Sequence, residues 1–376
     1  MYRPEKANFA PRFEQLSSYA TGAIFALSGI RRRNEPLGRF KLFTEPSPGN
    51  ALKRLARAFK IQIWEPRRLF RRHQVDAVIT YDPFQSGFCG VVLKWLLGAR
   101  LIIEVNGDYH EAHGTGNRFK KWFRNRTLRF TLGRADVIKV VNKSQERFFR
   151  ERYPDKMIFR FPDFVAEQYF SALTSEPGDY LLTVGTPFQP KGVGDLIRAF
   201  HLISGKHPHL RLRIMGWCPP DELQFFQELA NRDPRVSFVP AGWVEDVGEE
   251  IRKCYALVNA SHFEAGARVV FEAMACRKPV VATRSNGSMD YIRDGETGLL
   301  CGIQDVPDLA EKLDWLVANP ARAREMGQAG YEYLQGVCSE IRYFEHYRGL
   351  FETLGMLRFR LKRNGPVALG WPEEPV

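Results

Sequence analysis

Two glutamates, Glu264 and Glu272, stand in a segment whose pattern is suited to holding a phosphorylated ligand. Residues 261–283 read SHFEAGARVVFEAMACRKPVVAT, which predicts a Gly-containing loop, an Ala-rich helix and a strand. The loop at 265–267 and the first helical turn at 268–271 would point backbone N–H groups outward. A diphosphate can be held there by those donors and by the positive end of the helix. Glu272, further along the helix, could accept hydrogen bonds from ribose hydroxyls.

A lysine in a second segment could supply a fixed positive charge. Residues 184–200 read VGTPFQPKGVGDLIRAF, so Lys191 follows a predicted strand and precedes Gly192 at a predicted helix start. A departing diphosphate needs its charge neutralised by a metal ion or by fixed cations and N–H groups. The chain has no Asp-x-Asp metal motif, so Lys191, Arg268 and a helix N-terminus are the metal-free alternative. The structural alternative is a surface lysine at a helix start and a solvent-facing pair of glutamates.

The cysteines and the apolar runs exclude several protein classes. The six cysteines form no C-x-x-C pair and have no nearby His ligands, so we expect reduced thiols rather than a zinc site or a disulfide framework. The longest apolar run near the start, residues 19–30, is too short to span a bilayer, and the residues before it do not follow the charged-then-apolar pattern, so we expect no leader. We therefore expect a cytoplasmic protein that is soluble or peripheral to a membrane.

The elements that must position these residues follow an alternating pattern of short apolar runs and longer amphipathic stretches. This pattern predicts parallel strands with crossover helices. Strands are expected at 23–27, 39–43, 77–81, 100–105, 137–141, 157–161, 180–184, 210–215, 236–240, 256–258, 279–282 and 298–301. Helices are expected at 50–60, 85–97, 117–133, 143–153, 192–204, 221–231, 268–276, 306–318, 321–335 and 340–354. The result is an α/β protein of two doubly wound domains in tandem, with ligands outside the carboxyl ends of the strands, facing a central cleft.

The segment around Glu264 resembles the signature of the retaining GT-B glycosyltransferases of the family numbered four, with its Glu-x7-Glu motif, Ala-Met-Ala and Pro-Val-Val strand. The resemblance extends over about 180–335 and more loosely over 101–170. It implies that Glu264 lies near the donor sugar and diphosphate, that Glu272 binds the ribose, and that Lys191 contacts the donor phosphates. It also implies retention of anomeric configuration. The remaining donor-binding residues expected from it are Gly185, Thr186, Gly266, Ala267, Arg268 and Val269.

Three positions depart from the family's pattern. Thr186 follows Gly185 where the family commonly has Gly-Arg, so one cation is missing. Asn106 and Gly107 stand where the family often has His-Gly, and with Asp108 they are expected on the acceptor side. A turn is the alternative for the Asn-Gly pair. The family's opening strand is not recognisable ahead of the helix at 13–16, so we expect the first sheet to be one strand short.

The charge of the chain is uneven. The net charge is +12, but residues 1–175 hold 32 Lys and Arg against 16 Asp and Glu, while residues 176–376 hold 23 against 27. A basic first half predicts an anionic partner: a lipid-phosphate acceptor, an acidic membrane or nucleic acid. In the basic stretch at 118–129, Phe119, Trp122 and Phe123 recur near helical spacing, followed by Phe130. This pattern indicates either a helix lying on an anionic membrane or a helix whose aromatic face packs into the core.

These observations together predict a glycosyltransferase with no cofactor, using a nucleotide-diphosphate sugar and a glycan or lipid-linked acceptor. Its setting would be cell-surface polysaccharide, lipopolysaccharide or glycolipid synthesis at the inner face of the cytoplasmic membrane. The expected domains are an acceptor-binding domain at 1–170, a donor-binding domain at 178–338 and a disordered tail at 365–376. The resemblance also implies a crossover helix at 339–360 that packs on the first domain. The alternatives are a non-catalytic protein that binds a sugar nucleotide or a partner, and a basic nucleic-acid-binding protein.

Overall fold

The computed structural model describes residues 9–28, 33–47, 49–107, 118–170, 178–240 and 247–356. The chain divides into two compact units. Unit 1 comprises Met1–Val140, Gln145–Phe161 and Tyr343–Val376, and unit 2 comprises Val141–Ser144 and Pro162–Arg342. The residues between the two expected domains, 171–177, lie outside the described residues, as does the tail expected at 365–376.

Unit 1 contains two sheets and the helices that cover them. Its strands are β1 Gly22–Ser28, β2 Arg33–Leu37, β3 Phe40–Pro46, β4 Ala77–Thr80, β5 Arg100–Val105, β6 Val137–Val140 and β7 Met157–Arg160. Its helices are α1 Phe9–Leu16, α2 Ala51–Phe59, α3 Glu65–Leu69, α4 Gln85–Leu97, α5 Arg118–Arg134 and α6 Lys143–Arg152, with a π-helical turn at Lys60–Trp64 between α2 and α3. Strands β4 to β7 form a parallel sheet in that order, which buries Leu101, Ile103 and Ile138 against the helices.

The first sheet of unit 1 departs from the all-parallel pattern expected from the sequence. Its order is β1-β3-β2, with β1 parallel and β2 antiparallel to β3. The sequence pattern predicts no strand at β2, because its residues, RNEPL, are mostly polar and include Pro36. Such a segment is tolerated at a sheet edge, where a strand needs hydrogen bonds on one side alone. The helix predicted to end at residue 60 also continues through the π-helical turn into α3.

Unit 2 is built on one six-stranded parallel sheet. Its strands are β8 Tyr180–Val184, β9 Arg211–Gly216, β10 Val236–Pro240, β11 Ala256–Asn259, β12 Val280–Thr283 and β13 Leu299–Cys301. Its helices are α7 Glu167–Phe170, α8 Val193–Ser204, α9 Pro220–Leu229, α10 Val247–Lys253, α11 Arg268–Ala275, α12 Asn286–Met289, α13 Val306–Ala318 and α14 Pro320–Cys338. The strand order is β10-β9-β8-β11-β12-β13. This is the doubly wound order, in which the chain reverses direction across the sheet between β8 and β11.

The last helix, α15 Glu340–Thr353, joins unit 1 from Tyr343 onward. Tyr347 is fully buried, and its hydroxyl contacts the carboxylate of Glu104 on β5. Burial, and then the negative charge of Glu104, raise the pKa of Tyr347 well above its usual value, so the phenol stays protonated and donates this hydrogen bond. Arg12 of α1 lies 2.8 Å from both Glu104 and Tyr347. A buried ionic cluster therefore ties together the first helix, the central strand and the last helix of unit 1.

Helix α5 does not place its aromatic side chains in the core. Trp122 is 56% exposed, Phe123 61% and Phe130 37%, whereas Leu128 and Leu132 are buried. The core-packing interpretation is therefore wrong for these three aromatic residues. The side chain of Phe119 lies outside the described residues. Cations and rings also share a side of the helix, because the guanidinium of Arg134 lies 3.9 Å from the ring centre of Phe130. None of the helices in the described ranges is long and apolar enough to cross a membrane.

Candidate active site

The candidate site lies at the carboxyl ends of β8 and β11, the two neighbouring strands between which the winding of unit 2 reverses. The loops after these strands lead to helices on opposite faces of the sheet, which leaves a crevice between them. Lys191 lies in the loop after β8, and Glu264 lies in the loop after β11. Their side chains meet in an ion pair, with Lys191 Nζ 2.5 Å from Glu264 Oε2. The structure thus brings together two residues that are 73 positions apart in the sequence.

Two glycines shape the loop that carries Lys191. Gly192 has φ +64°, and a Cβ at this position would collide with the carbonyl of Ala260 in the β11 loop. A Cβ on Gly185 would lie 2.8 Å from the Cγ of Lys191, so the aliphatic part of the lysine passes directly over this glycine. The Lys191 side chain is 24% exposed, so part of it is accessible while its stem packs over Gly185.

Glu264 is held by its neighbours on both its side chain and its backbone. Ser261 Oγ lies 3.3 Å from the Glu264 carboxylate and donates to the side-chain oxygen of Asn259 at 2.6 Å. The carbonyl of Glu264 accepts a hydrogen bond from the N–H of Gly287 at 2.7 Å, and Gly287 has no room for a Cβ against the same loop. The side-chain amide of Asn142 donates to the next carbonyl, that of Ala265, at 3.0 Å. The loop is therefore preorganised by several polar contacts.

Helix α11 begins at Arg268 directly after this loop. Its N-cap residue, Ala267, makes no side-chain capping hydrogen bond. The N–H of Arg268 donates to Gly266 at 2.7 Å, so this predicted phosphate donor is already used. Among the described residues, no backbone acceptor outside the helix receives the N–H of Val269 or Val270. Free N–H donors together with the positive end of the helix dipole are the features by which helix starts hold anions.

Glu272 lies on α11 and pairs with Arg268. Its Oε1 is 3.0 Å from Arg268 Nε, and the glutamate is 8% exposed while the arginine side chain is 35% exposed. Of the predicted donor residues, Gly266, Ala267, Arg268, Val269 and Glu272 therefore lie together at this helix start. Thr186, after β8, donates through its hydroxyl to the carbonyl of Trp217 in the loop after β9 at 2.6 Å.

The residues expected on the acceptor side belong to unit 1. Asn106 and Gly107 follow β5, and Asp108 lies outside the described residues. The side chain of Asn106 lies 3.5 Å from Glu104 Oε2 and 3.4 Å from Lys139 Nζ. Gly107 accepts a hydrogen bond from Gln145 at 3.0 Å. Asn106 therefore contacts the buried ionic cluster of unit 1, so the Asn-Gly pair makes tertiary contacts that a turn alone does not require.

Several residues that support the site are not identifiable from the sequence. Asp195 of α8 lies 2.7 Å from Nε2 of His262 in the β11 loop. The helix that follows the Lys191 loop therefore makes a second polar contact with the β11 loop. Ser261 and His262 immediately precede Glu264, but a lone Ser-His pair gives no signal without its partners. Gly287 and Asn142 are also remote in sequence. Within the described ranges, no three His, Cys, Asp or Glu side chains are grouped so as to hold a metal ion.

Two protein-family models match this chain in succession. The model described as "Glycosyl transferase 4-like domain" matches residues 24–158, and "Glycosyl transferases group 1" matches residues 165–333. The second match includes Lys191, Glu264 and helix α11. Together the two matches cover strands β2 to β6 and β8 to β13 completely and parts of β1 and β7.

Known proteins with similar sequence or structure are also glycosyltransferases or have their fold. The N-acetyl-alpha-D-glucosaminyl L-malate synthase of Bacillus anthracis is 26% identical over 312 residues, which cover 79% of this chain and 78% of that protein. The sucrose-phosphate synthase from Thermosynechococcus elongatus superposes with a TM-score of 0.69 at 20% identity, covering 87% of this chain and 88% of the other. HepE of Anabaena, solved in complex with UDP and glucose, superposes with a TM-score of 0.72 at 15% identity, covering 94% and 97%. The two Rossmann-like units and these matches identify the chain as a GT-B glycosyltransferase.

Proposed function

We propose that this enzyme transfers a sugar from a nucleotide-diphosphate sugar, with the donor bound at the β8–β11 crevice of unit 2. The observation that carries the proposal is the Lys191–Glu264 ion pair next to the start of α11. A fixed cation and unpaired N–H groups beside one crevice are what a diphosphate requires. HepE of Anabaena, with the same fold, was solved with UDP and glucose.

The leaving diphosphate would be stabilised by groups of the protein. Lys191 would contact the phosphates through its ammonium group, and the N–H groups of Val269 and Val270 would donate to the phosphate oxygens. Glu264 would hold Lys191 in position before the donor binds and would then face the donor sugar. Glu272 would accept hydrogen bonds from the ribose, with Arg268 fixing its carboxylate. We propose that this arrangement works without a metal ion.

The stereochemical course would be retention, with the acceptor attacking from the face that the diphosphate leaves. The departing phosphate would then take the proton of the acceptor hydroxyl, so the protein need not supply a base. This agrees with Asn106 in unit 1, whose amide can orient a hydroxyl but cannot remove a proton. We propose that Asn106, Gly107 and Asp108 contribute to the acceptor side.

The acceptor would be a glycan or a lipid-linked sugar in the synthesis of cell-surface polysaccharide, lipopolysaccharide or glycolipid, at the inner face of the cytoplasmic membrane. The support for this setting is the basic character of residues 1–175. A lipid-phosphate acceptor and an anionic membrane both carry the complementary charge.

A thermal-shift screen with UDP-, GDP- and ADP-sugars tests the donor proposal. We expect one nucleotide to raise the melting temperature, because a ligand that binds only the folded state stabilises it. The stabilising donor is then supplied with candidate acceptors, with and without EDTA, and the anomeric configuration of the product is read by NMR. Lack of stabilisation and of turnover with every donor would contradict the proposal. Inhibition by EDTA or an inverted product would overturn the metal-free or the retaining part alone.

A further inference from the structure

Helix α2 exposes its apolar side chains as well as its basic ones. Leu52 is 78% exposed, Leu55 59% and Phe59 55%. Their spacing of three and four residues places them along one side of the helix. Lys53, Arg54 and Arg57 are exposed on the same short helix, which contains no acidic residue. Near its end, Ala58 is buried against Phe25 and Phe43 of the first sheet. Helix α2 is therefore strongly amphipathic, but its apolar side faces outward.

The neighbouring helices of unit 1 continue this surface. Helix α4 packs against the π-helical turn on one side and against α5 on the other. The turn exposes Trp64 at 63%, α4 exposes Trp95 at 78% and α5 exposes Phe123 at 61%. Large aromatic side chains are thus exposed on each of these three segments, far more than isolated surface residues require. Helix α2 contacts the π-helical turn, and we call α2, the turn with α3, α4 and α5 together the basic row.

The same row is almost purely cationic. Residues 51–69 contain six Lys and Arg and one acidic residue, and residues 118–134 contain seven Lys and Arg and none. The single acid, Glu65, already pairs with Arg68 at 3.1 Å. Glu45 of β3 lies 3.8 Å from Lys60, and Asp136 lies 2.7 Å from Lys94 of α4. These three acids are far fewer than the Lys and Arg of the same segments, so the basic row keeps a net positive charge.

We propose that this row binds an anionic lipid bilayer, with Leu52, Leu55 and Phe59 inserted among the headgroups. The surrounding Lys and Arg would contact lipid phosphates, and the exposed Trp side chains would lie at the headgroup level. Two features favour lipid over the other anionic partners. Nucleic-acid bases stack on aromatic rings and gain little from exposed leucines. Protein interfaces are depleted of Lys. The proposal does not depend on the transfer reaction.

Co-sedimentation of the full chain with lipid vesicles tests this proposal. We expect binding to phosphatidylglycerol–phosphatidylcholine vesicles, weakened by salt, and little binding to pure phosphatidylcholine vesicles. The variant Leu52→Ser/Leu55→Ser/Phe59→Ser should lower the vesicle partition coefficient about tenfold or more, because it removes the buried apolar area. Lys53→Gln/Arg54→Gln should lower binding to the anionic vesicles.

The matched control changes exposed apolar residues elsewhere. Leu202 and Ile341 are 60% and 72% exposed, and both belong to unit 2. Leu202→Ser/Ile341→Ser should leave vesicle binding unchanged, and all variants should keep the parent's thermal unfolding curve. Absence of binding to anionic vesicles, or equal binding by the triple serine variant, would overturn the proposal. Binding to an oligonucleotide that is lost in Lys53→Gln/Arg54→Gln, with no vesicle binding, would assign the surface to nucleic acid instead.

Discussion

At the scale of single residues, the ion pair between Lys191 and Glu264 is the feature on which the donor site depends. The lysine provides a charge that would contact a diphosphate, and the glutamate keeps that charge at one place before a donor binds. The pair is partly exposed, so water weakens its contribution to stability. The main effect of the ion pair would be to orient the two side chains.

We expect Lys191→Ala and Glu264→Ala to lower kcat by about 100-fold or more, because each removes a preorganised charge from the transition state. Steady-state kinetics with the donor found by thermal shift measures this effect. Lys206→Ala and Glu311→Ala are matched controls, since both side chains are exposed in the same unit. Near-normal kcat in either active-site variant would remove that residue from the mechanism.

Substitution of Glu272 should act on binding more than on chemistry. We expect Glu272→Ala to raise KM for the donor by about tenfold or more with a small change in kcat, because hydrogen bonds to a carboxylate contribute about 1.5–3 kcal/mol. The same variant should lose part of the thermal stabilisation by the nucleotide. Glu296→Ala, an exposed glutamate of unit 2, should change neither quantity. A large loss of kcat at unchanged KM would point to a role in the reaction itself.

At the scale of elements, the buried cluster of Arg12, Glu104 and Tyr347 joins α1, β5 and α15. Arg12 is 2% exposed and Glu104 is fully buried, so water solvates neither charge and each needs a partner within the protein. The ring of Tyr81 lies 4.5 Å from the Arg12 guanidinium and adds a cation–π contact. The last helix is therefore attached to unit 1 by polar contacts as well as by apolar ones.

We expect Arg12→Met to lower the free energy of unfolding by about 3 kcal/mol, because it removes the cation 2.8 Å from the buried Glu104 carboxylate and leaves it with the Tyr347 hydroxyl and with Lys139 at 3.9 Å. Arg348→Met should cost less than about 1 kcal/mol, since the Arg348–Glu352 pair on α15 is exposed. Urea unfolding measures both changes. Equal effects of the two variants would show that the buried cluster contributes no more than a surface pair.

At the scale of the whole molecule, the six cysteines are free and all of them are buried. Burial raises the pKa of Cys89 to about 11 and those of Cys254 and Cys301 to about 12. Because the thiolate is the reactive form, these thiols are shielded both by packing and by their protonation state.

We therefore expect slow reaction of the native protein with Ellman's reagent at pH 8, and reaction of all six thiols after denaturation. The fraction of thiolate at pH 8 is small when the pKa lies well above 8, and unfolding returns each pKa to its ordinary value of about 8.5. Rapid reaction of several thiols in the native protein would contradict the buried placement of the cysteines.

The candidate site was predictable from the sequence to the extent that its parts are local. Glu272 and Arg268 lie one turn apart on a single helix, and the loop–helix pattern around them follows from Gly266 and the Ala-rich run. The Lys191–Glu264 contact could not be derived in this way, because the local sequence of the two segments does not predict that β8 and β11 are neighbouring strands. Nor could the Asp195–His262 contact, which depends on the same strand pairing.

The sequence by itself determined where most strands and helices lie, the doubly wound character of unit 2 and the two segments that carry the site. These properties depend on short-range periodicity, turn residues and apolar runs. The tertiary structure alone decided that β2 pairs antiparallel at a sheet edge, that Arg12 meets Glu104 inside unit 1, and that the aromatic residues of α5 face outward. Each of these outcomes depends on contacts between segments that are far apart in the sequence. The stability of a polar strand, of a buried arginine or of a helix orientation is set by the partners that the fold places beside it, and local sequence does not identify those partners.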